Sequence, residues 1–506
     1  MLKSIKVSFK DTLIYGLGNV AVKLVGLILI PLYTDPKFFS VDDFGVLGIL
    51  EITALVITAV MASALPQSLT RWYWDKDFKD KQKGIFFMSF TIQLVVSLVF
   101  CLLLIPLSGT LSQLIFPKQN LSDVIVLVIL ASATQSINNI INSLMRLQSR
   151  SLLYSVTNLL KLVTVLLLTL YFILHREMGL KGIYLAQVIG NIFILLILTA
   201  YTIKNSKPFF NWNVLRAMNT YGFPLLLANI SAVALNVIDR YSLNSLALLK
   251  FVAIYTLAFK ITSVLKLVIV DSMKLAIGPM MLKRMDSPDN KRFYSKVLLY
   301  SSYVMMIAVV GVSLFSYEVI KVLSGTKALW SAFTIIPLLS LSVFFVNMKE
   351  ITVYGLHIAK KTSIISLIVV ITSILSLALN ILLIPFWDIT GAALATLITQ
   401  LVYWYACYYF SQRAFHVPYE IPKILLLLIT GSLLSFSCLI LNNLDLLPRL
   451  LIKTGFLISF PFILYLFRFY EPVEIQAIRG FIAKWSNIKN LRNNLNSLKG
   501  LNDEEF

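Results

Sequence analysis

Ten ionisable residues stand where charge is hardest to keep. Lys23, Lys161, Arg240, Lys260, Lys266 and Lys349, with Glu51, Asp239, Asp271 and Glu350, all lie inside or beside long apolar runs. If those runs span a membrane, each central charge costs about 2.5–3.5 kcal/mol when it faces lipid. Such groups must pair, reach the interface, or face water. Lys274 and Lys453 lie near run ends, and both read as side chains that reach the headgroups. At about 100° per residue, Lys260, Asp271 and Lys274 share one helix face, and Lys266 is turned away. Asp271 and Lys274 are three apart and can pair. Asp239–Arg240 and Lys349–Glu350 are sequence neighbours that need not touch on a helix. The deep cations outnumber the deep acids, so pairing cannot account for all of them. The surplus predicts a wet, positively charged cavity suited to an anion such as a phosphate.

A second set is neutral. Gln135, Asn138, Asn139 and Asn142 run along one apolar segment, and Asn19 lies in another. They fit hydrogen bonds between helices. They also fit contacts to sugar hydroxyls, for which Asn19, Asn138 and Asn142 are the candidates. Nothing resembles a catalytic constellation. The 3 Cys (101, 407, 438) and 3 His (175, 357, 416) are scattered. They suggest neither a disulfide framework nor a metal site. No GxxxxGK[ST] phosphate loop occurs. The expectation is a protein that is not an enzyme and carries no cofactor.

The elements that hold these residues follow from composition. The chain is 58% hydrophobic and only 13% charged, with a mean hydropathy of +0.83; ordinary soluble domains are about a quarter charged. Apolar runs predict an all-α polytopic membrane protein. About fourteen spans are expected, near 12–34, 44–66, 85–107, 122–144, 153–174, 181–203, 219–246, 252–282, 297–318, 332–355, 362–385, 391–411, 423–441 and 450–469. "MLKSIKVSFK" precedes a run too long for a signal peptide, which suggests an uncleaved first span. Most of the formal charge of +20 collects in alternate loops such as "RWYWDKDFKDKQK" and "KRMDSPDNKR". The positive-inside rule then places both termini in the cytoplasm. Outer loops are too short to fold as domains.

The chain also repeats. "YGLGNVAVKLVGLILIPLY" at Tyr15 returns as "YGFPLLLANISAVALNVIDRY" at Tyr221. "GLKGIYLAQVI" around Gly182 returns as "DITGAALATLI" around Gly391, at nearly the same interval. Two six-helix lobes in parallel repeat are expected, 1–218 and 219–412, with extra spans in 413–470. Residues 471–506 read as a cytoplasmic amphipathic tail, since Ile478, Ile482, Trp485 and Ile488 recur at helical spacing among basic residues. Tandem halves with a site between them are a transporter plan.

At "YGLGNVAVKLVGLILIPLYT", "DDFGVLGILEI" and "DRYSLNSLALLKFVAIYTLAFKI" the chain resembles oligosaccharide flippases of the multidrug/oligosaccharidyl-lipid/polysaccharide superfamily. Within it, the likeness is to the bacterial polysaccharide-transport family, which includes Wzx-type O-antigen flippases. The resemblance implies a V-shaped pair of lobes and alternating access. The implied cargo is a polyprenyl-pyrophosphate glycolipid, moved from the inner to the outer leaflet of the bacterial cytoplasmic membrane. It implies basic cavity residues in the first and eighth spans, places held here by Lys23 and Lys260. The helices at 423–469 are candidates for a lipid-tail groove, and polysaccharide polymerase machinery is a candidate partner, with no nucleic acid. Coupling to protons, sodium ions or the membrane potential stays open; Glu51 and Asp271 are candidate carriers. The alternatives are a drug or cation antiporter of the same superfamily and a membrane polymerase or ligase. Such antiporters often use an acid early in the first span, where this chain has only Asp11, at the edge.

Overall fold

The computed structural model describes residues 26–442 and 444–476. Lys23, Asn19, Asp11 and most of the expected tail lie outside them. Among the described residues all regular structure is helical. The helices used below are α1 (Val41–Ala62), α2 (Leu65–Tyr73), α3 (Gln82–Leu104), α4 (Ser122–Leu147), α5 (Ser151–Leu174), α6 (Gly179–Ile197) and α7 (Trp212–Ala234). They continue with α8 (Ile238–Leu246), α9 (Leu249–Leu265), α10 (Ser272–Lys283), α11 (Asn290–Leu314), α12 (Ile336–Thr352), α13 (Thr362–Ala414), α14 (Ile421–Phe436) and α15 (Leu446–Leu466).

Eleven helices among the described residues are long and apolar enough to cross a membrane, or up to 12 if the bent pair α7–α8 is one crossing. One of them, α13, is 53 residues long. At 1.5 Å per residue it would reach about 80 Å, far beyond a hydrocarbon core of about 30 Å. It doubles back at Asp388, whose φ of 45° and ψ of −122° are not helical. A Cβ on Gly391 would sit 2.3 Å from the Leu383 carbonyl oxygen. Residues eight apart meet that closely only across a reversal. The same device joins α5 to α6. There Glu177 and Gly179 take positive φ, and a Cβ on Gly182 would sit 2.8 Å from the Phe172 Cβ. Every span expected from the second to the fourteenth therefore has its helix.

Two expected spans are not uniform. The run 219–246 is broken, because α7 and α8 meet at 53°. The run 252–282 contains a π-helical stretch, Lys266–Asp271, between α9 and α10. A π turn winds less per residue than an α turn. The shared face expected for Lys260, Asp271 and Lys274 assumed uniform winding and does not survive it.

The start of α1 shows how sequence sets local structure. Ser40 and Asp43 form a capping box: the Ser40 oxygen accepts from the Asp43 N–H at 3.1 Å, and the Asp43 carboxylate accepts from the Ser40 N–H at 2.9 Å. The next turns pack without side-chain spacers. A Cβ on Gly45 would lie 2.5 Å from the Leu249 carbonyl oxygen, and one on Gly48 would lie 2.3 Å from Thr256 Oγ1. Small residues let α1 and α9 touch, the means by which helices pack where lipid removes the hydrophobic drive. The largest core surrounds this crossing, with Phe44, Ile49, Ile125, Ile129, Tyr184 and Tyr255 buried in it.

Candidate functional site

Helix α1 connects two dissimilar regions. Near its first turns lies the glycine crossing. Near its last turns, about 20 Å further along the axis, Ala59 and Ala62 line a cavity of about 540 Å³. That volume is within the usual range for small-molecule sites, about 300–1,000 Å³. The cavity sits among α1, α2, α4, α5 and α7. Five carboxamides line it: Gln67, Asn139, Asn142, Asn229 and Asn236. Arg146 is the one charged residue among its described lining.

Helix α4 supplies more of this wall than any other helix, through Asn139, Asn142, Ser143 and Arg146. Gln135, Asn139, Asn142 and Arg146 recur at intervals of four, three and four, which places them on one face. Lys161 on α5 donates to Gln135 Oε1 at 2.7 Å. The Gln135 amide nitrogen donates to Asn139 Oδ1 at 2.9 Å. Arg146 donates to Ser143 Oγ at 3.0 Å, and its guanidinium lies 5.9 Å from the centre of the Tyr154 ring. It is exposed. Asn138 points elsewhere. It is buried and donates to the Asn191 carbonyl at 3.2 Å, while Asn191 donates back to the Ala131 carbonyl at 3.1 Å. That pair ties α4 to α6. The cavity therefore holds Asn142, whereas Asn138 makes an interhelical hydrogen bond.

The deep charges divide into paired and unpaired. Lys260 donates to Glu51 at 2.6 Å, linking α9 to α1 just inside the glycine crossing. Two residues further along α1 the hydroxyls of Thr53 and Tyr241 meet at 2.8 Å. Lys349 hydrogen-bonds its neighbour Glu350, and Lys274 reaches the other Glu350 oxygen at 3.2 Å. Lys274 thus pairs with Glu350, and 58% of its side chain remains exposed. Asp239 and Arg240 also touch, at 3.8 Å. Asp239 accepts from the Tyr255 hydroxyl at 2.5 Å, and Arg240 stacks 4.4 Å from the Phe259 ring centre. Lys266 and Asp271 bound the π-helical stretch, both half-buried. Among the described residues, no carboxylate lies within ion-pair range of Lys161 or Arg146.

Lys453 departs from its expected place. It is fully buried, with 0% of its side chain exposed, and it donates to both Glu318 oxygens at 2.8 and 2.9 Å and to Asn442 at 2.6 Å. Arg449 reaches the same carboxylate at 2.7 Å. A half-buried acid, Glu318, supplied by the short helix Ser316–Leu323, makes the interface unnecessary to this lysine. The polar set in the sequence also lacked Gln67, Arg146, Asn229 and Asn236. Asn229 and Asn236 are seven apart, two helical turns, which was the available signal.

The sequence profile of the polysaccharide biosynthesis protein family matches residues 37–333, more than half of the chain. The chain belongs to this family. Among solved structures, the fold matches "Lipid II flippase MurJ, inward closed conformation" with a TM-score of 0.73 and 13% identity, over 90% of this chain and 99% of that one. It also matches an inward-facing multidrug resistance MATE family transporter of the MOP superfamily, with a TM-score of 0.65 and 12% identity over 84% and 99%. A third match is a MOP superfamily transporter from Pyrococcus furiosus whose binding pocket is described as of reverse polarity. Its TM-score is 0.53, with 12% identity over 80% and 95%. At these identities the likeness is one of fold. No curated protein matches the chain. Membership in the polysaccharide biosynthesis family and this fold agree with the resemblance seen in the sequence.

Proposed function

We propose that this member of the polysaccharide biosynthesis family is a flippase, which carries a polyprenyl-pyrophosphate-linked oligosaccharide from the inner to the outer leaflet by alternating access. The observation that carries this reading is the amide-lined cavity at one end of α1, with a glycine-tight crossing at the other. Carboxamides offer both donors and acceptors without charge, which suits sugar hydroxyls. A hydrated headgroup needs such a compartment, whereas its lipid tail has no reason to leave the bilayer, each CH₂ being worth about 0.8 kcal/mol there.

In this reading the chain comprises lobes 1–218 and 219–412, extra helices within 413–470 and a cytoplasmic tail. It lies in the bacterial inner membrane with both termini inside. The glycine crossing then faces outward, and the structure is the inward-facing state. Polysaccharide polymerase machinery is the expected partner, and O-antigen or another surface polysaccharide unit the expected cargo. Moving an anionic headgroup outward against a negative interior gains about 2.3 kcal/mol per charge per 100 mV, so the membrane potential can contribute to the drive. Glu51 and Asp271 are the residues through which a proton or sodium ion would couple, and opening of the outer end frees Glu51 from Lys260.

Reconstitution into vesicles with a fluorescent polyprenyl diphosphate disaccharide tests the reading. Protein-dependent exposure of the label on the opposite leaflet is expected. Export of cationic dyes without lipid translocation would replace it with the multidrug reading.

A further inference from the structure

Lys161 was expected to meet an anion directly, yet its ammonium stops one residue short of the cavity wall. It donates to Gln135 Oε1 at 2.7 Å. An ammonium has three donors and no acceptor. The oxygen of the Gln135 amide must therefore face it, which removes the usual ambiguity between amide oxygen and nitrogen. The Gln135 nitrogen then faces outward, toward Asn139, at 2.9 Å. A nitrogen that donates must meet the Asn139 oxygen. The Asn139 amide nitrogen makes no hydrogen bond to any described residue, and Asn139 lines the cavity. The backbone carbonyl of Asn139 is already occupied, by the Ser143 hydroxyl at 2.9 Å. Ser143 in turn accepts from Arg146, which leaves further guanidinium N–H groups for the cavity.

From this juxtaposition we propose that Lys161 is a positioning residue: acting through Gln135, it fixes Asn139 with its N–H donors toward the cavity. Together with Arg146 it makes the α4 wall a row of donors. That wall selects a substrate group that offers only acceptor oxygens, such as a phosphoryl or carboxylate oxyanion, over one that must donate. The charge of Lys161 works by relay and touches no ligand. The inference rests on the cavity being a substrate site, the reading given above.

Gln135→Glu tests it without risking the fold, since it places a carboxylate beside Lys161 and completes an ion pair. A carboxylate offers Asn139 only acceptors, so the Asn139 amide turns over and presents its oxygen to the cavity. Farnesyl diphosphate and a glucuronate-containing disaccharide are titrated into the purified full-length protein by calorimetry, beside a neutral disaccharide. The variant is expected to bind the oxyanion probe on the order of 10-fold more weakly, with neutral-sugar binding unchanged. Loss confined to farnesyl diphosphate assigns the oxyanion to the lipid phosphate; loss confined to the glucuronate probe assigns it to the glycan. Lys161→Met should reproduce the loss and Lys161→Arg should restore binding. In an Asn139→Leu background, Gln135→Glu should have no further effect on affinity. Equal binding of all probes by wild type and Gln135→Glu overturns the proposal, as does failure of wild type to bind either oxyanion probe at millimolar concentration. Translocation in vesicles that is indifferent to Gln135→Glu would leave the flippase reading standing and remove only the relay.

Discussion

The two ends of α1 solve the problem of intramembrane charge in opposite ways. At the crossing end Lys260 meets the Glu51 carboxylate, and elsewhere in the fold Lys453 and Arg449 share Glu318 in the same way. Glycines at the crossing let backbones touch. At the cavity end Lys161 and Arg146 are held by a neutral amide and a hydroxyl. Pairing with a carboxylate cancels charge and fixes geometry. Contact with a neutral oxygen fixes geometry and leaves the charge felt by whatever enters. Counting lysines does not separate these cases; the identity of the acceptor does.

Removing one partner of a carboxylate pair should have the largest effect. Lys453→Met strands Glu318 beside a single arginine in a buried site, and about 3–5 kcal/mol of stability should go. The double variant with Glu318→Leu should recover part of it, read as unfolding midpoints in detergent. Equal stability of Lys453→Met and wild type would erase the contrast between carboxylate and neutral acceptors. Glycine spacing gives a finer measure. Gly48→Val drives a side chain into Thr256 and should cost about 1–3 kcal/mol. Ala59→Val, which points into the cavity on the same helix, should stay within about 0.5 kcal/mol. The same unfolding assay compares them.

The smallest expected effect concerns a third charge network. Lys296 and Lys423 both bridge Glu420 at 2.7 Å and both also meet Glu471. The hydrogen bond from Lys296 holds Glu471 below the usual carboxylate range against slight desolvation. Burial opposes the same change at Glu420, yet hydrogen bonds from Lys296 and Lys423 bring it down as well. Depressed carboxylates contribute stability that is present above their unfolded value, near 4.3, and lost as pH falls through the lower folded value. A modest fall in melting temperature between pH 6 and pH 3 is expected. It should be smaller in Glu420→Gln/Glu471→Gln.

Long apolar runs made the helices legible, and even the reversal near Asp388 lay between two expected spans. The π-helical stretch was not legible, since nothing in "KLVIVD" departs from an ordinary apolar helix. Among site residues, the α4 stripe was visible because four amides in an apolar segment are conspicuous. Asn229 and Asn236 were less so, since each is a single amide in its own stretch of apolar residues and only their spacing links them. Which charges pair was hidden for another reason. Glu318 and Lys453 are 135 positions apart, and only the fold brings them together.

The π-helical stretch Lys266–Asp271 also divides labour along one rod. Tightening it by one residue would swivel everything beyond by about 100°. Lys274 would then let go of Glu350 while Thr256 kept its seat against Gly48. One end of the rod would thus turn like a key while the other stayed clamped.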